Sequence, residues 1–274
     1  MINVCVLSNC DTNVKFIFEL SVRIGQSFTS PSRRSRLART GNAPEGFGSD
    51  LKKLAESIGR TEYFSNFAID DDNNHHKRNR LNMEKLIVID ACMRDEESRT
   101  KKILNPIVVE LGKKYEIETI TLDGDDYRAV GRKVLAERCH GYVPEEIVEQ
   151  AKRIAAADRI VIAAPFWDMS FPAILKVFIE SMSLFNIMFK DCGTHFEGLC
   201  KCKKLLYVTT RGMNVHTDDA LDAATPYFRA LSALWGLGDV ITVASENMDF
   251  GTPKEIDEKI DAAIAQGLKI CQDF

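Results

Sequence analysis

From residue 85 onward the chain alternates short, uninterrupted apolar runs with longer stretches of helical period, and this constrains the fold more than any other feature. Lys85-Leu86-Ile87-Val88-Ile89-Asp90-Ala91, Arg159-Ile160-Val161-Ile162-Ala163-Ala164-Pro165 and Lys204-Leu205-Leu206-Tyr207-Val208-Thr209-Thr210 are apolar on successive residues. A strand apolar on both faces has to be covered on both faces, which is the situation in a parallel sheet flanked by helices. Ile117 to Leu122 alternates apolar and polar residues, and Asp239 to Ala244 is a fifth strand candidate. Helical patterns fill the gaps over Thr100–Lys113, Pro144–Ala157, Ser170–Phe185, Thr225–Trp235 and Pro253–Gln272. Ser170 is the expected cap of the third of these. Pro106, inside the first, predicts a kink or a delayed start.

Five strands alternating with five helices predict one α/β domain over residues 83–274. Five strands suit the flavodoxin-like order 2-1-3-4-5 better than the dinucleotide order, which needs six. In either order a ligand binds beyond the carboxyl ends of the strands.

Residues 1–82 differ in kind. They carry 12 Lys+Arg and 9 Asp+Glu against 24 and 31 in the remainder, a net of +3 against −7. Ser30-Pro31-Ser32-Arg33-Arg34-Ser35-Arg36 and Asp70-Asp71-Asp72-Asn73-Asn74-His75-His76-Lys77-Arg78 have too little apolar content to offset chain entropy. A poorly structured extension is expected here, with at most a short helix over Gly48–Ile58. Met83 stands directly before the first strand, as the initiator of a domain would, so an upstream extension of the reading frame is one reading of this segment.

Composition narrows the function. The chain is 45% apolar with a net charge of −4, which suits a folded soluble protein and argues against a nucleic-acid partner. No apolar run approaches the ~18 residues of a membrane span. Met1–Cys10 makes a poor secretory signal. Eight scattered cysteines fit reduced thiols in a cytoplasm better than a disulfide framework. Cys192, His195, Cys200 and Cys202 form C-x2-H-x4-C-x-C, which matches no standard zinc spacing, and no metal is expected. Gly236-Leu237-Gly238 is half of a dinucleotide fingerprint, but it follows a helix and precedes a strand, which is the wrong context.

Three strand-end segments carry the chemistry. After the first strand, Ser98 and Thr100 stand at a strand-to-helix junction with Arg94, Arg99, Lys101 and Lys102 nearby, alongside Asp95-Glu96-Glu97. Free N–H groups at a helix start, with hydroxyls and cations, form a phosphate cradle, and an ordinary Ser or Thr cap is the plainer reading. After the third, Phe166 and Trp167 either stack on a planar ring or belong to the core or an interface. After the fourth, Gly212 admits close backbone approach, and Arg211 serves an anion or a carbonyl oxygen unless the segment is a plain turn. His216 lies just beyond, a substrate contact or an exposed loop residue.

The same residues carry a resemblance. S-x-[ST] at Ser98 to Thr100, I-V-I-A-A-P at Ile160 to Pro165, L-K at Leu175-Lys176 and E-G-L at Glu197 to Leu199 occur in order. T-x-R-G from Thr209, T-P-Y at Thr225 to Tyr227 and G-x-x-D-V from Gly236 follow. From Lys85 to Ala263 the chain resembles the FMN-dependent NAD(P)H quinone reductases and azoreductases of the flavodoxin-like fold. The resemblance implies that Ser98, Arg99 and Thr100 hold the FMN phosphate. It implies that Phe166, Trp167, Asp168 and Met169 line the isoalloxazine ring, and that Thr210, Arg211, Gly212 and Met213 contact its other edge. Asp168 stands where relatives often have asparagine, and Met213 where a second glycine is common. The implied activity is hydride transfer from NADH or NADPH through flavin to a quinone, azo or nitroaromatic acceptor, in a cytoplasmic homodimer. The flavin would carry the chemistry, with no catalytic side chain. The alternative is an electron-carrier or redox-signalling module that binds FMN without turning over NAD(P)H.

Overall fold

The computed structural model describes residues 83–124 and 127–274. The expectations for residues 1–82, including the Gly48–Ile58 helix, the basic stretch and His75-His76, lie outside the described residues. Within Met83–Phe274 the sheet strands are β1 (Glu84–Asp90), β2 (Tyr115–Thr121), β3 (Arg159–Ala163), β6 (Lys204–Thr210) and β7 (Asp239–Ser245). All pair in parallel, in the spatial order β2-β1-β3-β6-β7. This is the expected order 2-1-3-4-5, with one short hairpin inserted between the third and fourth sheet strands. That hairpin, β4 (Phe189–Asp191) with β5 (Phe196–Gly198), was not foreseen, because three-residue strands are too short to show a period.

The helices are α1 (Arg99–Leu111), α2 (Arg132–Cys139), α3 (Glu145–Ala155), α4 (Ala173–Met182), α5 (Ala224–Trp235) and α6 (Pro253–Asp273). Alternation along the strands divides the core. Leu86, Val88, Val161, Leu206 and Val208 pack with Ile103, Leu104 and Ile107 of α1 and with Ile260 and Cys271 of α6. The intervening residues Ile87, Ile89, Ile160, Ile162 and Tyr207 are buried as well, with the Tyr207 ring 4.5 Å from Phe228 of α5. Burial on both faces is why the strands read as continuous apolar runs.

Several elements differ from expectation for clear reasons. Helix α1 runs through Pro106 without a break. The carbonyl that Pro106 leaves without a donor belongs to exposed Lys102, where water can serve it. Helix α4 starts at Ala173, and its N-cap is Pro172, not Ser170. Ser170 instead closes a tight turn, exchanging backbone hydrogen bonds with Trp167 at 2.8 and 3.2 Å. Helix α2 buries no residue, so no apolar stripe announced it. It is tied down by Arg138, which donates to the carbonyls of Glu180 and Ser181 at the end of α4. Gly238 has φ +74°, and a Cβ there would meet the Lys203 carbonyl oxygen at 2.0 Å. The glycine pair that resembles a fingerprint thus serves a tight turn into β7.

Candidate functional site

Where the parallel strands end, their loops enclose an open cleft. Its lining includes Ser98, Arg99, Thr100, Phe166, Trp167, Thr210 and Gly212, which come from all three segments singled out in the sequence.

The first loop is built around a capped helix start. Ser98 is the N-cap of α1, its Oγ accepting from the Lys101 N–H at 3.3 Å. The hydroxyl also faces the Cys92 sulfur, and its proton can turn to a ligand without breaking the cap, in which the oxygen accepts. The first N–H groups of α1, those of Arg99 and Thr100, have no intrahelical acceptor, and they stand at the positive end of the helix dipole. Thr100 is fully buried, and its hydroxyl lies 2.7 Å from that of Thr210, joining the first loop to the end of β6.

The neighbouring charges are largely matched within the protein. Arg94 pairs with Glu97, and Lys101 pairs with Asp95 at 2.7 Å and Asp90 at 3.2 Å. The Asp95 hydrogen bond holds the Lys101 ammonium above its ordinary pKa, outweighing the opposing effect of burial. Cys92 is enclosed beside Asp90. Burial and then that carboxylate push its thiol far above the ordinary range, so it stays protonated.

The second loop forms one wall. Phe166 and Trp167 line the cleft, with Trp167 still 45% exposed. Asp168 and Met169 are not in the lining. They are the central residues of the Trp167–Ser170 turn, both left-handed with φ of 48° and 64°. Asparagine and aspartate tolerate that conformation best, which accounts for the residue type at 168.

The third loop turns its charge inward. Arg211 does not present its guanidinium to the cleft. The side chain is fully buried and donates to Asp222 Oδ2 at 3.1 Å and to the Val215 carbonyl at 3.0 Å, with Thr217 and Thr225 hydroxyls at 3.4 Å. It also lies over the Phe166 ring, 5.1 Å from the centroid. A guanidinium on a β-strand end points to one face or the other, and an acid on that face decides which. Met213 is exposed and outside the lining, its carbonyl accepting from Asn247 N–H. His216 is also outside it, with its ring nearest Glu246 at 3.9 Å.

The fourth loop was missed altogether. Met248 and Asp249, just after β7, complete the lining. Backbone donations from Asn247, Met248 and Asp249 to the carbonyls of Met213, Arg211 and Gly212 stitch this loop to the third. The strand-end rule applies to the fifth strand as to the others and could have pointed here. Met93, Arg94 and Pro165 also line the cleft without having been singled out as ligand contacts.

The cysteine-rich segment gives no cluster of this kind. Cys192 donates to Glu197, Cys200 lies near the Met188 carbonyl, and Cys202 donates to the Lys204 carbonyl. Among the described residues, no group of three or more His, Cys, Asp or Glu side chains is arranged to hold a metal ion.

A five-stranded parallel sheet in this order, with a ligand cleft at its carboxyl edge, defines a flavodoxin-like protein. The chain belongs to the family described by the flavodoxin-like fold, whose family model matches residues 84–270. Among individual proteins, it is 32% identical over 201 residues to an FMN-dependent NADH:quinone oxidoreductase of Clostridium perfringens, covering 70% of this chain and 100% of that protein. A second Clostridium perfringens protein, FMN-dependent NADH:quinone oxidoreductase 2, is 30% identical over 200 residues, again covering 70% of this chain and 100% of the other. Of solved structures, the FMN-dependent NADH-azoreductase of Bacillus anthracis in complex with FMN superposes with a TM-score of 0.58 at 19% identity, over 69% of this chain and 100% of that one. At that identity the superposition speaks for the fold alone.

Proposed function

We propose that this protein is an FMN-dependent NAD(P)H oxidoreductase that reduces a small acceptor such as a quinone, azo compound or nitroaromatic. The observation that carries the reading is the meeting of a capped helix start, an aromatic wall and a side-chain-free glycine in one cleft.

The donor set fits a phosphorylated flavin. The α1 N-terminus, the Ser98 hydroxyl and the Arg99 guanidinium suit a phosphate. Phe166 and Trp167 suit the flat ring, and Gly212, having no side chain, leaves room in the third loop for the Asp249 carboxylate that lies against it. Thr100 acts by fixing Thr210, and Arg211 by supporting Phe166 from below. Asp168, Met169 and Met213 would reach a ligand only from outside the present lining.

Bound FMN supplies the hydride acceptor and donor between NAD(P)H and the final substrate. The chain's own residues bind and orient, and no side chain in the lining is placed as a nucleophile. The expected result is a yellow purified protein whose visible flavin band bleaches rapidly on anaerobic addition of NADH or NADPH. Retained flavin without bleaching would favour an electron carrier, and a protein that takes up no FMN would overturn the reading.

The working form we propose is a homodimer in the cytoplasm. Trp167, Met213 and Phe250 lie on loops around the cleft and are 45%, 40% and 64% exposed in the single chain. Exposed apolar side chains on such loops are what a second copy would cover. Among the described residues, no helix is long and apolar enough to cross a membrane. Sedimentation at the mass of one chain at micromolar concentration would overturn the dimer, and fractionation checks the compartment.

A further inference from the structure

Asp249 places a carboxylate in a cleft otherwise built to attract an anion. Its Oδ1 lies 3.2 Å from Arg99 Nη1, and Arg99 also donates to the neighbouring Met248 carbonyl at 2.7 Å. The carboxylate rests directly on Gly212, where a Cβ would meet Oδ2 at 2.0 Å. The residue is part of the cleft lining, yet its side chain is 67% exposed, so it has room to swing outward. Of the three other cations named above, Arg94 and Lys101 are held by Glu97, Asp90 and Asp95, and Lys102 is exposed. Arg99 is the guanidinium that both Asp249 and an incoming anion address.

We infer that Asp249 is a counter-anion built into the cleft, which competes with the cofactor's phosphate for Arg99 and so sets how tightly the phosphate end is held. The inference rests on the FMN reading above and adds to it a determinant of affinity. A phosphate monoester carries a charge of about −1.5 to −2 at neutral pH. Its arrival brings a second anion to a cation that already has one, and either Asp249 moves away or the two share Arg99 at the cost of mutual repulsion. Only a ligand with a phosphate meets this opposition. Riboflavin, with the same ring and ribityl chain but no phosphate, does not.

Fluorescence titration of the full-length apoprotein with FMN and with riboflavin tests this. Asp249→Asn keeps the shape and removes the charge. It is expected to bind FMN about five-fold more tightly at low salt, the scale of an exposed ion pair, and the gain should shrink as salt screens the charges. Riboflavin affinity should stay within about two-fold of the unsubstituted protein. Asp249→Glu, which keeps the charge, should show no gain for FMN. Equal gains for both flavins would overturn the inference, because Asp249 would then oppose the ring. Unchanged or weaker FMN binding by the folded asparagine variant would overturn it too. Either result leaves the FMN reading standing, whereas an unsubstituted chain that binds neither flavin removes that reading and this inference together.

Discussion

Asp222→Ala lowers the unfolding free energy by about 3–5 kcal/mol, the scale for removing one partner of a buried ion pair. Both Asp222 and Arg211 side chains are 0% exposed and lie 3.1 Å apart. Asp222 also accepts from the N–H groups of Ala224 and Thr225 through Oδ1, and from that of Asp218 through Oδ2. It therefore closes the start of α5, a role no N-cap side chain fills. Without it a buried guanidinium loses its counter-charge, and its Nε already lacks a partner in the structure. Denaturant unfolding measures the loss, and a change below about 1 kcal/mol would show that the pair is dispensable.

The same variant changes the response to acid. Burial pushes the Asp222 carboxyl upward. The hydrogen bonds from Thr225 and Asp218 and the charge of Arg211 more than offset this and leave it below its ordinary pKa. A carboxylate lowered on folding contributes stability that is complete above its unfolded pKa of about 3.9 and is lost as pH falls through the lower folded value. The parent protein should lose stability below about pH 4, and Asp222→Ala should lose less over the same interval. FMN retention should fall as well, because Arg211 underlies Phe166.

Ser98→Ala combined with Thr100→Ala should weaken FMN binding by about 10- to 100-fold. A hydrogen bond to a charged group contributes about 1.5–3 kcal/mol, and the Ser98 hydroxyl can donate one at the start of α1, beside the Arg99 guanidinium. The same change removes that cap, at a cost of about 1 kcal/mol to the folded state. It also leaves the Thr210 hydroxyl without its partner at 2.7 Å. Equilibrium dialysis gives the affinity, and thermal unfolding of the apoprotein separates it from the stability loss. Unchanged flavin content in a folded variant would refute the phosphate assignment.

The two positions were not equally legible. Ser98-Arg99-Thr100 could be read as a helix start because capping chemistry is local: a hydroxyl, a few residues and a change of period suffice. Arg211 could be seen as important but not understood. Its partner is 11 residues away across a loop, and nothing in Thr209-Thr210-Arg211-Gly212 says which way the guanidinium turns. Asp249 lay further out of reach, since its contact with Arg99 spans 150 residues. Helix α2 and the β4–β5 hairpin escaped for a different reason: the one buries no stripe and the other is too short to show one.

By itself the sequence determined that this chain builds a parallel sheet covered on both faces, and that three of its strand ends carry ligand-suited residues. That information is carried by periodicity, because the spacing of apolar residues along a strand or helix directly records which faces are buried. Only the tertiary structure decided that Arg211 turns inward to Asp222 and lies over the Phe166 ring while Arg99 lines the cleft, and that a fourth loop brings a carboxylate into it. Those outcomes depend on which charges meet after residues far apart in sequence are packed together, and pairing at that range leaves no local pattern behind.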